Sequence, residues 1–441
     1  MAARFSGSCK PGRILFQLRL AGSMSALLVF STLAAAPLAS SQILLRASQA
    51  GEEVNLMPTD LASLESEEPR KDLPCSVSER KPELGFDLRF HSGYDVSVPL
   101  RELAGDGEFL TVLFRVYPEA DKSRSAYFVQ HFKVPDIDDG AKGDATLQGI
   151  IDVGEGKYHI DWLMRDRSER ICSSAWDVEA ALAPKEKSIP LFIKSNDVSQ
   201  SVPEPFVNEA FARSLPATGS SLNLKLLVNF APQLRGSASL KRSDVDALVT
   251  ILKTIERDPH VGHISLVAFN IDETKVVYRQ DNGETIDFPA LGKALDSVKL
   301  GTVDFGRLSD KHSETGFLEE LIEKEVGGTP NTHPDGVIFA GPKAILSADV
   351  PQDDLRRIGD IECPVFYLNY NLNPQAVPWK DSISHAIRVF KGTEYTISRP
   401  KDLWFSTTEV VSRILRSRRD RSLTGAIAAS SGTLRTSQAL H

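Results

Sequence analysis

The densest grouping of residues able to do acid–base or metal chemistry runs from Asp304 to Glu325. It holds Asp304, Asp310, His312, Glu314, Glu319, Glu320 and Glu323, and His333 and Asp335 follow. Carboxylates beside histidines can relay protons or hold a divalent cation, so a hydrolase using this loop with His333 is one reading. The spacing favours another. Metal hydrolases of the His-Glu-x-x-His kind set two histidines on one helix face, and serine hydrolases set Gly-x-Ser-x-Gly on a strand-to-helix turn; neither pattern occurs. Glu319, Glu320, Glu323, Lys324 and Glu325 read instead as the charged surface of a helix. His91, His131, His159 and His385 stand apart in sequence and read as structural. No Gly-rich loop is present to cradle a phosphate. No catalytic residue and no cofactor is expected.

Cysteine is the other reactive type. Cys9, Cys75, Cys172 and Cys363 are the cysteines of the chain. Lys10, Arg13 and Arg19 precede an apolar run, Leu20 to Leu38, and Ala39-Ser40-Ser41 offers a small-residue cleavage site before Gln42. Residues 1–41 therefore read as an export signal, which carries Cys9 away. Export to the periplasm or beyond places the remaining thiols in an oxidising compartment. Cys75 opens the first domain and Cys172 lies near its end, so those two are expected to pair. Cys363, ahead of Pro364 and the apolar VFYL, reads as a buried, inert thiol. No second apolar run is long enough to span a bilayer, so no stable membrane insertion is expected after cleavage.

Length and charge set the frame for these residues. The 441 residues suffice for two or three domains, and a net charge of −8 argues against a general nucleic-acid binder. Residues 42–74, polar and acidic, read as a disordered linker. Residues 75–200 read as an immunoglobulin-like β-sandwich. Short alternating segments recur at Phe86–Phe90, Leu110–Tyr117, Tyr127–Val134, Leu147–Val153, Tyr158–Met164 and Ile171–Val178, with Gly- and Asp-rich turns between. Asp152-x-Gly154-x-Gly156-x-Tyr158 resembles the tyrosine-corner signature of immunoglobulin-like sandwiches. Trp162 and Trp176 read as core, with a sugar-stacking platform, and so a carbohydrate-binding module, as the alternative. Ile189–Ile193 could add a last strand.

Residues 201–218 form a Pro- and Ser-rich connector, and residues 219–417 an α/β domain. Leu224–Phe230, flanked by Gly219 and Pro232, has the profile of a strand buried on both faces. The spacing then predicts a helix over Ser243–Arg257 capped by Ser243, and a strand over His263–Asn270. A short antiparallel strand, Lys275–Gln280, turns at Asp281-Asn282-Gly283. Helices over Phe288–Val298, Thr315–Val326, Asp381–Phe390 and Lys401–Arg416 alternate with strands at Gly336–Ala340, Pro364–Asn369 and Glu394–Ile397. That alternation implies a doubly wound sheet with one antiparallel hairpin strand. Arg413, Arg416, Arg418, Arg419 and Arg421 complement the dipole at the end of the last helix, and residues 418–441 read as a disordered tail.

Three places carry a family resemblance: Val267-Ala268-Phe269-Asn270 before the hairpin strand, Leu300-Gly301-Thr302, and Gly392 to Ile397 followed by Pro400-Lys401-Asp402-Leu403. In this order they resemble the von Willebrand factor type A domain, and more narrowly the exported von Willebrand-A-related domains abundant in acidobacteria. The resemblance implies a divalent-metal site on Asp-x-Ser-x-Ser, a loop Thr and a later Asp. This chain has Asn229-x-Ala231-x-Gln233 at the first position and Ala340-Gly341-Pro342 at the last, leaving Thr302 as the one matching ligand. Neutral carbonyls are poor magnesium ligands, so no metal is expected at Asn229, Ala231, Gln233, Thr302 and Gly341. The expected function is recognition of an unknown protein partner.

Overall fold

In a computed structural model, the described residues are 42–46, 58–66, 69–105, 109–201, 205–208, 221–298 except 235, 236 and 238, 313–327, 334–372 except 347, 360 and 362, and 380–436. Side chains of 42–46 and 423–436 are not among them. The signal segment, most of the 201–218 connector, and Thr302, Asp304, Asp310, His312 and His333 lie outside the described residues.

The first half comprises β1 (Gln42–Arg46), α1 (Pro58–Glu65), β2 (Ser76–Leu84), β3 (Phe90–Pro99), β4 (Phe109–Pro118), β5 (Ala126–Lys133), β6 (Asp144–Val153), β7 (Gly156–Arg165), β8 (Ile171–Ala180) and β9 (Val198–Gln200). They form two antiparallel sheets, ordered β1-β5-β4-β7-β8 and β2-β3-β6-β9. One core lies between them. Phe90, Tyr94, Val96 and Val98 alternate into it from β3; Val112, Phe114, Phe128 and Trp162 meet them from the other sheet. Trp162 is fully buried, so it offers no face on which a sugar could stack. Tyr158 donates its hydroxyl to the Gly154 carbonyl at 2.9 Å and lies 3.1 Å from that of Asp197, as the sequence pattern suggests.

Residues 42–74 are not a structureless linker: β1 pairs with β5, and the 70–73 segment hydrogen-bonds to β8 through Leu73 and Ser173. The cause lies in β4 and β7, whose apolar residues point both ways. Leu113, Val129, Leu163 and Ile171 face away from the main core, and Leu64 of α1 covers them. Leaving that second face wet would forfeit roughly 25 cal/mol per Å². Asp60 of α1 adds an ion pair to Arg165 at 3.4 Å. Phe86–Arg89 is a turn rather than a strand, with Leu88 at φ 57°. The last strand is Val198–Gln200 rather than Ile189–Ile193.

The second half comprises β10 (Leu222–Asn229), α2 (Arg242–Arg257), β11 (Val261–Asn270), β12 (Lys275–Gly283), α3 (Phe288–Leu295), α4 (Ser313–Val326), β13 (Gly336–Gly341), α5 (Gln352–Arg357), β14 (Val365–Tyr370), α6 (Ser382–Val389), β15 (Thr393–Ile397) and α7 (Pro400–Thr436). The sheet order is β12-β11-β10-β13-β14-β15, with β12 antiparallel and the rest parallel. Strand β10 is buried on both faces. Leu224, Leu226 and Val228 pack with α2 and α7, while Leu227 packs on the side of α4 and α6. Phe86, from the turn between β2 and β3, meets Tyr370 edge-to-face at 5.4 Å, so the two halves share packing.

Smaller corrections follow from backbone bonding. Lys241, without a side-chain bond, precedes α2; Ser243 does not cap it, and its carbonyl accepts from Tyr370. β12 continues through Gly283, and the hairpin turns at Ile271–Thr274. Residues 418–436 continue α7 as helix. Arg418 and Arg421 are therefore not at a helix end. They grip Asp335, at 3.0 Å for Arg418, and this anchors the helix to the sheet. Among the described residues no helix is long and apolar enough to cross a membrane.

Candidate functional site

Chain order reverses between β10 and β13, and ligands of parallel sheets favour the crevice beyond the carboxyl ends of the strands at such a point. The sequence places Asn229, Ala231, Gln233 and Gly341 there. Asn229 is fully buried, and its side-chain oxygen accepts the Ile271 amide at 3.1 Å. Gln233 donates to Asp244 at 2.8 Å and accepts the Leu372 amide at 3.1 Å. Ala231 is buried and offers no side-chain donor. Gly341 sits at φ 152°, and a Cβ there would lie 2.8 Å from Cβ of Asn229. The ends of β10 and β13 thus press together. Both amide oxygens already tie down neighbouring backbone, and the carboxylate bonded to the set, Asp244, takes the Gln233 amide. Magnesium needs hard oxygens in near-ideal octahedral geometry, and this donor set does not fit it.

On the α6 side of the same edge lies Asp381, which precedes α6 and accepts the Ile383, Ser384 and Ala344 amides at 3.1, 3.4 and 3.3 Å. Burial raises its pKa to about 6; the backbone amides pull it down, and the Glu394 carboxylate pushes it up. A folded pKa above the unfolded value means the native state holds the extra proton between about pH 4 and 6. Stability from this group is therefore lost as pH rises through that window. Asp381→Asn keeps a capping oxygen and removes the buried charge. Urea denaturation should show the variant more stable than the parent by about 2 kcal/mol at pH 7.5 and equal to it near pH 4.

A second cluster forms on the outer face of the β2-β3-β6-β9 sheet. Glu83, His91 and Asp152 are direct cross-strand partners on β2, β3 and β6, so their side chains leave the same face. His91 Nδ1 lies 2.7 Å from Asp152 Oδ1, and Nε2 lies 2.9 Å from Asp87 Oδ1. Asp152 is 1% exposed, and Arg89 approaches its other oxygen at 3.6 Å. Burial lowers the His91 pKa, but hydrogen bonds to Asp152 and Asp87 and their charges outweigh it and hold it at about 10. Without another ligand His91 is an imidazolium bridging two carboxylates. Ligand atoms of Asp87, His91 and Asp152 all lie within 4.8 Å of one another, a separation that could hold a metal ion. A cleft of about 420 Å³ opens beside them, lined by Arg80, Lys81, Glu83, Gly85, His91 and Ser92 among others. It opens where β2 bulges: the register breaks between Arg80 and Glu83, and Ser92 Oγ bonds to the Arg80 carbonyl.

Sequence reasoning set His91 aside as isolated. The Asp87-x-x-x-His91 spacing was visible, but Asp152 joins only through the β3–β6 register, 61 residues away. His159 is likewise not isolated, touching Asp161 at 3.1 Å and Asp177 at 2.6 Å. Of the acidic stretch, Glu320, Glu323 and Lys324 are exposed on α4 as expected. Glu325 is not part of that surface; it is buried against Lys225 and Arg279. Cys75 and Cys172 form the expected disulfide, with Cα atoms 6.3 Å apart, and Cys363 is buried outside it.

No protein-family model matches the chain, and no curated protein matches it. Among solved structures it is similar to a Northeast Structural Genomics Consortium target, SoR45, at 10% identity and a TM-score of 0.17, over 26% of this chain and 94% of that one. It is also similar to a Bacteroides uniformis β-glucuronidase, at 8% identity and a TM-score of 0.18, over 72% of this chain. A calcium-binding mutant of Bacteroides uniformis β-glucuronidase 2 follows at 7% identity, a TM-score of 0.17 and 72% of this chain. The chain spans 38% of the length of each of these two glucuronidases. Likenesses this slight assign the chain neither a family nor an activity.

Proposed function

We propose that the protein is an exported interaction or scaffold protein, with an immunoglobulin-like sandwich followed by a von Willebrand-A-like domain that recognises its partner without magnesium. The observation that carries this reading is the use of Asn229 and Gln233, whose side-chain oxygens serve the Ile271 and Leu372 amides. The sheet edge is built for rigidity rather than for coordination. The single antiparallel strand β12 at the margin of a parallel sheet supports the von Willebrand-A-like reading. The Tyr158–Gly154 bond supports the immunoglobulin-like one. The Cys75–Cys172 bridge supports export to an oxidising compartment.

The test joins two measurements on the full mature chain. Calorimetric titration with Mg²⁺ should give no saturable heat. Immobilised chain should retain a protein from envelope extract equally with and without added magnesium. Saturable heat that disappears in Asn229→Ala, or retention no greater than on heat-denatured chain, would overturn the reading.

A further inference from the structure

We propose that Asp87 and His91 bind a zinc-class divalent ion through Oδ1 and Nε2, with Asp152 as the positioning residue behind the imidazole. This goes beyond the interaction reading and uses different ligands, although the cluster lies close to α2: Phe86, beside Asp87, packs on Tyr370 at 5.4 Å. Zinc takes histidine nitrogen at about 2.0–2.1 Å and carboxylate oxygen at about 2.0–2.2 Å. Tetrahedral ligands at those lengths stand about 3.3 Å apart. Nε2 and Oδ1 are 2.9 Å apart, so a shift of a few tenths of an ångström suffices.

Three features of the surroundings bear on an ion at this pair. Asp152, buried and 2.7 Å from Nδ1, accepts that N–H and leaves the Nε2 lone pair for a metal. Metal-bound histidines are commonly oriented by such a carboxylate. Residue 85 is glycine, and a Cβ there would sit 2.4 Å from Nε2 and 2.6 Å from Asp87 Oδ1. The Gly85 backbone therefore packs closely against the pair and leaves no room for a side chain, so an ion must enter from the cleft that Gly85 and His91 line. Glu83, the cross-strand partner of His91, is exposed and lines the same cleft, so its carboxylate can swing in as a third ligand. Water from the cleft completes four-coordination. The charges are mixed: Asp87, Asp152, Glu83 and, from α2, Asp246 surround the site, with Arg89 paired to Asp152, Arg242 paired to Asp246, and Arg80 and Lys81 lining the cleft.

The experiment is calorimetric titration of Zn²⁺ into the metal-free full chain, with Co²⁺ absorption to report the ligand field. One ion per chain is expected. Asp87→Asn and His91→Gln should each weaken binding at least ~10-fold, and Asp152→Asn about 10–100-fold. His159→Gln should leave it unchanged, because His159 has a similar pair of aspartates but one of them, Asp177, is 82% exposed. Should His91→Gln fail to fold, Asp87→Asn decides, since its side chain is a third exposed. No saturable zinc binding, binding untouched by Asp87→Asn, or binding lost with His159→Gln would each overturn the proposal.

Discussion

Replacing Cys75 and Cys172 together by alanine should lower unfolding stability by roughly 4–5 kcal/mol, the largest effect expected of any substitution discussed. The bond closes a loop across a sequence separation of 97 residues. Cross-linking a loop of about 100 residues removes denatured-chain entropy worth about 4.7 kcal/mol. The position adds to this. Cys75 immediately precedes β2, Cys172 lies in β8, and these strands belong to different sheets. The bridge therefore staples one layer to the other at the margin where α1 and the 70–73 segment also dock. Cys172 is fully buried, so alanine leaves a small void, whereas serine would add an unpaired hydroxyl. Urea denaturation of parent and variant, followed by tryptophan fluorescence, checks the value; Trp162 and Trp176 lie in and against this core. Identical midpoints would mean that the unfolded chain is already held compact without the bond.

What could be read from sequence follows from how local each cause is. β10 was legible because burial on both faces demands a continuous apolar run. The disulfide was legible because two cysteines bracket one domain. The Tyr158 corner was legible because its partner, Gly154, is four residues away. The docking of residues 42–74 was not, since its cause sits elsewhere: Leu113, Val129 and Leu163 on an outer face that needs a cover. α7 runs past residue 417 because Asp335 receives Arg418, a pairing over 83 residues. At the sheet edge, the identities of Asn229 and Gln233 told that a carboxylate is missing. That their oxygens hold the Ile271 and Leu372 amides required the fold. The Asp87–His91–Asp152 cluster needed the register of two strands, which alternation alone leaves open.

Glu325→Gln should destabilise the protein by about 3 kcal/mol at pH 7, with a pH dependence opposite in sign to that of Asp381→Asn. Glu325 is 3% exposed and meets two cations, Lys225 of β10 at 3.0 Å and Arg279 of β12 at 2.7 Å. It thereby ties α4 to strands on either side of β11. Removing one partner from a buried ionic group leaves the others uncompensated, which costs about 3–5 kcal/mol. The lower end applies because Lys225 and Arg279 are 22% and 32% exposed and can turn toward water. Burial raises the Glu325 pKa, but hydrogen bonds from Arg279 and Lys225 and their charges outweigh it, and the net shift is downward. A lowered folded pKa gives stability that is present above the unfolded value and lost as pH falls through the folded one. The difference between parent and Glu325→Gln should therefore be full at pH 7 and shrink in acid as the parent's carboxyl protonates. Asp381→Asn gains where Glu325→Gln loses. The two sites share no bonding partner, so the double variant should follow the sum of the two pH curves within about 0.5 kcal/mol. Denaturation series at pH 3, 5 and 7.5 test this. A Glu325→Gln deficit that persists undiminished at pH 3 would show that the loss comes from packing of α4, and that the ion pairs contribute nothing of their own.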